Sequence, residues 1–64
     1  MRWDSKNRQN VEAPDVDAFL KELIEVCRKH GMHLGHEDAH GAFLVHRGPP
    51  DKHDEEWLLE AHIS

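Results

Sequence analysis

The sequence predicts a small α+β domain with the element order α-β-β-α, in which a two-stranded antiparallel hairpin packs on helices. Three patterns indicate it: a helical apolar stripe from Val16 to Cys27, two short apolar runs joined by a glycine-ended loop, and a short acidic amphipathic segment near the C-terminus. A chain of 64 residues forms one domain and buries only about 60% of its unfolded surface. Because the single Cys27 cannot form an internal disulfide, we expect stabilisation from a metal or from self-association.

Residues 1–13 are polar and show no periodicity, which predicts a flexible basic N-terminal arm before a single αββα domain of residues 14–64. Residues 1–10 carry a net charge of +2, whereas the remainder carries −7. An acidic body repels phosphate backbones, so binding to nucleic acid is disfavoured. Trp3 is a large aromatic on this polar segment, and we expect it to dock on the body or on a partner.

The first helix is predicted from Pro14 to the residue before Gly31. Proline suits the first helical position, and glycine supplies the left-handed residue that ends a helix. Acidic residues near the start and basic residues near the end match the helix dipole. The apolar residues recur every three or four positions and therefore share one face. They are Val16, Phe19, Leu20, Leu23, Ile24 and Cys27.

A β-hairpin is predicted next, from the apolar runs 32–36 and 42–46 and the five-residue loop between them, which ends in Gly41. The expected register pairs His36 with Ala42, which places Phe43 across from Gly35. Every register leaves apolar side chains on both faces of the ribbon. One helical layer covers only one of these faces, so something else must cover the second.

A second helix is predicted after the break at residues 47–50, where glycine and paired prolines end the strand. Asp51 or Asp54 is the expected N-cap, and the glutamates that follow suit the first turn. A helix of about ten residues is too short to stand alone, so it must pack on the hairpin or on the first helix. Its apolar face consists of Trp57, Leu58 and Ala61, extended by Ile63.

The segment His36-Glu37-x-x-His40 has the spelling of the zinc-protease helix, and His46 follows His36 by ten residues. That chemistry needs both histidines on one face of a helix, where they bind zinc while the glutamate activates water. Here glycines on both sides leave only five residues for the helix, and Phe43 replaces the glycine of the longer metzincin pattern. We interpret the match as chance and predict that the protein is not an enzyme.

Three interpretations of the loop remain open. Glu37 or Asp38 accepts backbone N–H bonds and closes the turn. Alternatively, zinc is bound by His36 and His40 together with His46 or His33. The third interpretation is recognition of a ligand by Glu37, Asp38 and His40. Apart from the zinc alternative, no cofactor is expected.

Three stretches, Val26–Gly31, Gly35–Phe43 and Glu56–Leu58, resemble a group of small, largely uncharacterised phage and prophage proteins. In these a helix ending in K-x-G leads to an H-E-D-x-H-G-x-F hairpin and an acidic E-W-L helix. The resemblance covers residues 18–62 and implies a shared fold, with no catalytic residue to carry over. It also implies an accessory or counter-defence role, in which the protein binds a host protein or sequesters a small signalling ligand.

We therefore expect a non-enzymatic binding module that forms a homodimer, with the second face of the hairpin or the Trp57 helix as the self-contact. Its partner is a second copy, a host protein or a small ligand. No apolar stretch reaches the length of a membrane span, no secretory signal is seen, and a lone cysteine fits a reducing compartment. The expected location is the cytoplasm, that of the host cell if a phage encodes the protein. The candidate binding residues are Glu37, Asp38, His40, Phe43 and Trp57.

Overall fold

The computed structural model of the chain describes residues 1–36 and 41–64. The α+β class and the predicted hairpin are confirmed, but the order is β-β-α-β-β-α and not α-β-β-α, because the N-terminal residues form a hairpin of their own. Within the described ranges, no helix is long and apolar enough to cross a membrane. The elements are β1 (Arg2–Asp4), β2 (Gln9–Val11), α1 (Pro14–His30), β3 (Met32–His36), β4 (Phe43–Arg47) and α2 (Lys52–Leu59).

The N-terminal hairpin replaces the unpaired segment expected before α1. β1 and β2 are antiparallel, with Arg2 opposite Val11. The buried carboxylate of Asp4 accepts the backbone N–H groups of Lys6 and Asn7 at 3.0 and 3.2 Å and the side-chain amide of Asn7 at 2.8 Å. These bonds favour the ionised form, the Asn7 side chain most strongly, and lower the pKa of Asp4. Asp4 therefore holds the turn closed.

Main-chain bonds attach this hairpin to the C-terminal segment. Asp4 forms a parallel bridge with Ile63. The N–H of Ser5 donates to the carbonyl of Ile63 at 2.7 Å, and the N–H of Ile63 donates to the carbonyl of Trp3 at 2.8 Å. Trp3 itself is partly exposed. The residues predicted to form a flexible arm are thus paired with each other and bonded to residues near the other end of the sequence.

Helix α1 has the predicted bounds. Pro14 is its first residue, and Gly31 follows its last turn with φ +63° and donates its N–H back to the carbonyls of Arg28 and Cys27. The inward side of the stripe is buried as expected, but Phe19 is exposed, so the stripe is wider than the surface that packs on it. The buried residues of α1 are Leu20, Ile24 and Cys27.

The hairpin β3–β4 is antiparallel, but the register predicted for it is wrong by one residue. His36 pairs with Phe43 and not with Ala42, and Leu44 lies opposite Gly35. The observed pairing leaves residues 37–42 between the two strands, one residue more than expected.

Helix α2 begins at a capping box. The N–H of Asp54 donates to the Asp51 carboxylate and the N–H of Asp51 donates to the Asp54 carboxylate, both at 2.9 Å. The bond from the Asp54 N–H is the main cause that lowers the pKa of Asp51. Arg28 of α1 donates to both carboxylate oxygens of Glu55 at 2.9 and 2.6 Å, which ties the two helices together.

The core is small and the molecule is flat. α1 packs on α2 and on β3, and α2 also contacts β3. The molecule measures 35 × 28 × 15 Å, and its shortest dimension is close to one layer of helices packed on one sheet, since such layers lie about 10 Å apart. Five apolar residues of the described ranges are buried: Ala13, Leu20, Ile24, Cys27 and Leu58.

Candidate functional site: the exposed strand β4

Strand β4 lies outside the core although three of its five residues are large and apolar. Phe43 is 70% exposed, Leu44 42% and Val45 58%. Among the described elements, β4 packs only against β3, so neither helix covers it. We call Phe43–Arg47 the β4 surface. Large exposed apolar patches on a monomeric protein mark interaction sites.

Both faces of the hairpin carry exposed apolar side chains, as predicted. Side chains alternate along a strand, so Phe43 and Val45 share one face while Leu44 lies on the other. The register adds Leu34, which is opposite Val45, to the face of Phe43. Leu34 is only partly exposed because β3 contacts both helices, whereas β4 extends beyond them.

Two histidines of the hairpin meet next to α2. The rings of His33 and His46 stack with centroids 5.0 Å apart. Nδ1 of His33 lies 2.9 Å from the carbonyl oxygen of Gly48, which only accepts, so Nδ1 carries the proton. Nε2 of His33 is 3.7 Å from the Asp54 carboxylate. The His46 ring lies over Gly35, where a Cβ atom would be 2.6 Å from Nε2 of His46.

The described residues of the zinc alternative do not come together on one side of the hairpin. His36 is the last residue of β3, so the first histidine of the protease spelling is on a strand and not on a helix. His46 pairs with His33, and because side chains alternate, His46 and His36 lie on opposite faces. His40 falls outside the described residues. Within the described ranges, no three His, Cys, Asp or Glu side chains are placed to hold a metal ion.

The predicted binding residues divide into two sets. Phe43 lies on the β4 surface, and Trp57 of α2 is 42% exposed, with its ring centroid 6.4 Å from that of His36. Glu37, Asp38 and His40 fall outside the described residues, so their role in ligand recognition stays a prediction.

Three residues of the β4 surface, Leu44, Val45 and Arg47, are not among the predicted binding residues. The signal was present in the sequence: Ala42–Val45 is an uninterrupted apolar run, and a strand covered on one face alternates apolar with polar residues. Such a run indicates a strand that is apolar on both faces, and a single hairpin in a short chain cannot bury both.

Comparison of the chain with family models, with curated proteins and with solved structures finds no significant match. The function is therefore inferred from the geometry of the β4 surface and from the sequence patterns.

Proposed function

We propose that the protein is a non-enzymatic interaction module that binds another protein through the β4 surface. The observation that carries the proposal is a strand with three exposed apolar residues, Phe43, Leu44 and Val45, that packs only on β3 among the described elements. Two reactive side chains of the described residues have structural positions. Cys27 is buried in the core, and His33 is bonded to a backbone carbonyl.

The magnitude of the burial supports protein binding. Complete burial of a large apolar side chain contributes about 1.5–3 kcal/mol, so covering the exposed parts of these three contributes about 4 kcal/mol in all. A micromolar complex needs about 8 kcal/mol. Side-chain burial on β4 therefore supplies about half of that amount, and backbone bonds or further contacts must supply the rest.

The proposed setting is the cytoplasm of a host cell, with the protein as a phage accessory or counter-defence factor. This part of the proposal rests on the resemblance of the H-E-D-x-H-G-x-F segment, residues 36–43, to phage and prophage proteins. Occupying a host protein or sequestering a small ligand requires no catalytic group, which agrees with an interaction role.

A photocrosslinking amino acid at Val45 tests the proposal in living cells. The matched control places the same group at Val26, which is 52% exposed on α1, against 58% for Val45. We expect a discrete crosslinked protein product at Val45 and none at Val26, with the product identified by mass spectrometry. Equal crosslinking at both positions, in chains that retain their fold by circular dichroism, would overturn the proposal.

A further inference from the structure

We propose that the partner of the β4 surface is a second copy of this chain, and that the two β4 strands pair antiparallel about a two-fold axis at Val45. The two hairpins then form one four-stranded sheet. This inference rests on the proposed function and names the partner.

The backbone of β4 shows which groups are available for such pairing. The N–H of Gly48 donates to the carbonyl of Gly31 at 2.6 Å, which makes this a hydrogen-bonded pair in the register of the hairpin. Bonded and non-bonded pairs alternate along an antiparallel ladder. Because Gly48 is in a bonded pair, His46 and Leu44 are also in bonded pairs with β3. The N–H and C=O groups of the residues between them, Phe43, Val45 and Arg47, point away from β3. These groups form the outer edge of β4, where no described element packs.

The outward residues are symmetric about Val45, which gives a two-fold register. Val45 pairs with the partner's Val45, and Phe43 pairs with the partner's Arg47. Each pair exchanges two N–H···O bonds, so every outward group of Phe43, Val45 and Arg47 is bonded. Moving the register by one bonded pair leaves one of the three residues on each strand without a partner. The symmetric register therefore forms the most hydrogen bonds.

Side chains agree with this register. On one face the Val45 side chains meet across the axis, and Phe43 meets the aliphatic stem and guanidinium of the partner's Arg47, a favourable cation–π pair. On the other face, Leu44 meets the partner's His46. β4 carries no acidic residue, although the whole chain has a net charge of −5. The two Arg47 side chains start about 14 Å apart, beyond the screening length at physiological salt.

The chain exposes more surface than a compact monomer of its mass. The surface is 5178 Å² for a 7.4 kDa chain, whereas a compact monomer of this mass exposes about 4,200 Å². Edge-to-edge pairing of two five-residue strands covers part of this excess of about 1,000 Å².

An exposed apolar edge without proline or a bulge pairs indiscriminately with other strands. The β4 edge contains neither a proline nor a bulge. Two-fold pairing of β4 with itself occupies the edge on both copies and closes the assembly, whereas head-to-tail pairing through different surfaces continues into fibres. A second copy is therefore the occupant that the symmetry of this edge favours.

Light scattering and sedimentation on the full chain test the association. The protein concentration should cover about 1–100 µM, which is the range of dissociation constants of weak to moderate dimers. We expect a concentration-dependent monomer–dimer equilibrium. N-methylation of the Val45 amide by chemical synthesis removes an outward N–H without changing the side chain, and Val45→Lys adds charge at the axis. Both changes should give monomers, whereas Val26→Lys should leave the dimer intact. A monomeric parent chain at all concentrations would overturn the inference.

Cysteine pairs test the register. Leu44 and the partner's His46 form a non-bonded pair with Cα atoms about 4.5 Å apart, within disulfide range. An equal mixture of Leu44→Cys and His46→Cys chains should therefore give a mixed disulfide dimer, while each variant alone should not, because like positions lie about 8 Å apart. Self-linking of Leu44→Cys alone would show a different register. A monomeric chain that still crosslinks another protein at Val45 would end the inference but leave the proposed function standing.

Discussion

Arg2 and Asp17 form an ion pair that joins the N-terminal hairpin to α1. The same guanidinium donates to the carbonyls of Leu59 and Ala61, both at 2.7 Å, at the end of α2. Only 9% of the Arg2 side chain is exposed, whereas 46% of the Asp17 side chain is. Arg2 thus satisfies carbonyl groups that a helix end leaves without partners, and it connects three separate parts of the fold.

Replacing Arg2 with Met should lower the free energy of unfolding by about 2 kcal/mol, because charged hydrogen bonds are lost and two carbonyl groups lose their donors. The measurement is urea unfolding followed by circular dichroism. Arg8→Met is the matched control, since Arg8 is an exposed arginine of the same hairpin, and its effect should stay within about 0.5 kcal/mol. Equal effects of the two substitutions would show that the Arg2 contacts do not stabilise the fold.

Gly35→Ala should displace the His46 ring from its stack on His33. The added Cβ would lie 2.6 Å from Nε2 of His46, and the exposed imidazole is the group free to move. NMR shifts of the His33 and His46 ring protons report the stack. In a His46→Ala background the conflict is absent, so the same substitution should stabilise the strand by about 0.5 kcal/mol through the lower entropy of the unfolded chain. Identical effects in both backgrounds would exclude the conflict.

Acid should destabilise the protein through Asp4 and Asp51. Both carboxylates have a pKa lowered from 3.8 by hydrogen bonds that favour the ionised form, from Asn7 and from the Asp54 N–H respectively. Their contribution is therefore complete above about pH 5, and it is lost as the pH falls below 3.8 and through the folded-state pKa. The measurement is the urea midpoint at a series of pH values.

Asp51→Asn should reduce that acid sensitivity while keeping the cap, because asparagine caps helices as well as aspartate but does not titrate. The free energy of unfolding of the variant should be closest to that of the parent chain at low pH, where Asp51 of the parent chain is also uncharged. An unchanged slope of stability against pH below pH 4 would mean that Asp51 has the same pKa in the folded and unfolded chains.

Zinc should not stabilise the described fold. His36 and His46 lie on opposite faces of the hairpin, so they cannot bind one ion from a single side. Thermal melts of untagged protein with EDTA, and with added zinc after dialysis, should have midpoints within about 1 °C of each other. A midpoint that falls with the chelator and recovers with zinc would restore the metal alternative, with His40 as the first ligand to substitute.

Prediction from sequence succeeded for elements whose signals are local. α1 has six apolar residues at helical spacing, a proline at the start and Gly31 at the end. Each of these signals depends on residues that are close together in the sequence. The hairpin β3–β4 was found from its apolar runs, but its register was not. Both faces of these strands carry apolar residues, so the apolar pattern does not specify the register.

The N-terminal hairpin was missed for a related reason. Its strands have three residues each, too short for a period to show. What holds them is the turn closed by Asp4 and the distant main-chain bonds to Ile63. Of the predicted binding residues, Phe43 and Trp57 are exposed, and their role in binding stays a prediction. The role proposed for Val45 follows from the alternation of backbone bonds along β4.

The main-chain bonds between Trp3 and Ile63 place the two ends of the described fold side by side. Because the two segments run parallel, Met1 and Ser64 lie at opposite ends of the paired stretch, about 14 Å apart, and a flexible linker of several residues that runs back alongside the pair would close the backbone into a ring. Ring closure restricts the unfolded chain and leaves the folded one unchanged. A protein with so small a hydrophobic core would in this way gain a higher melting temperature without any change to the side chains that face a partner.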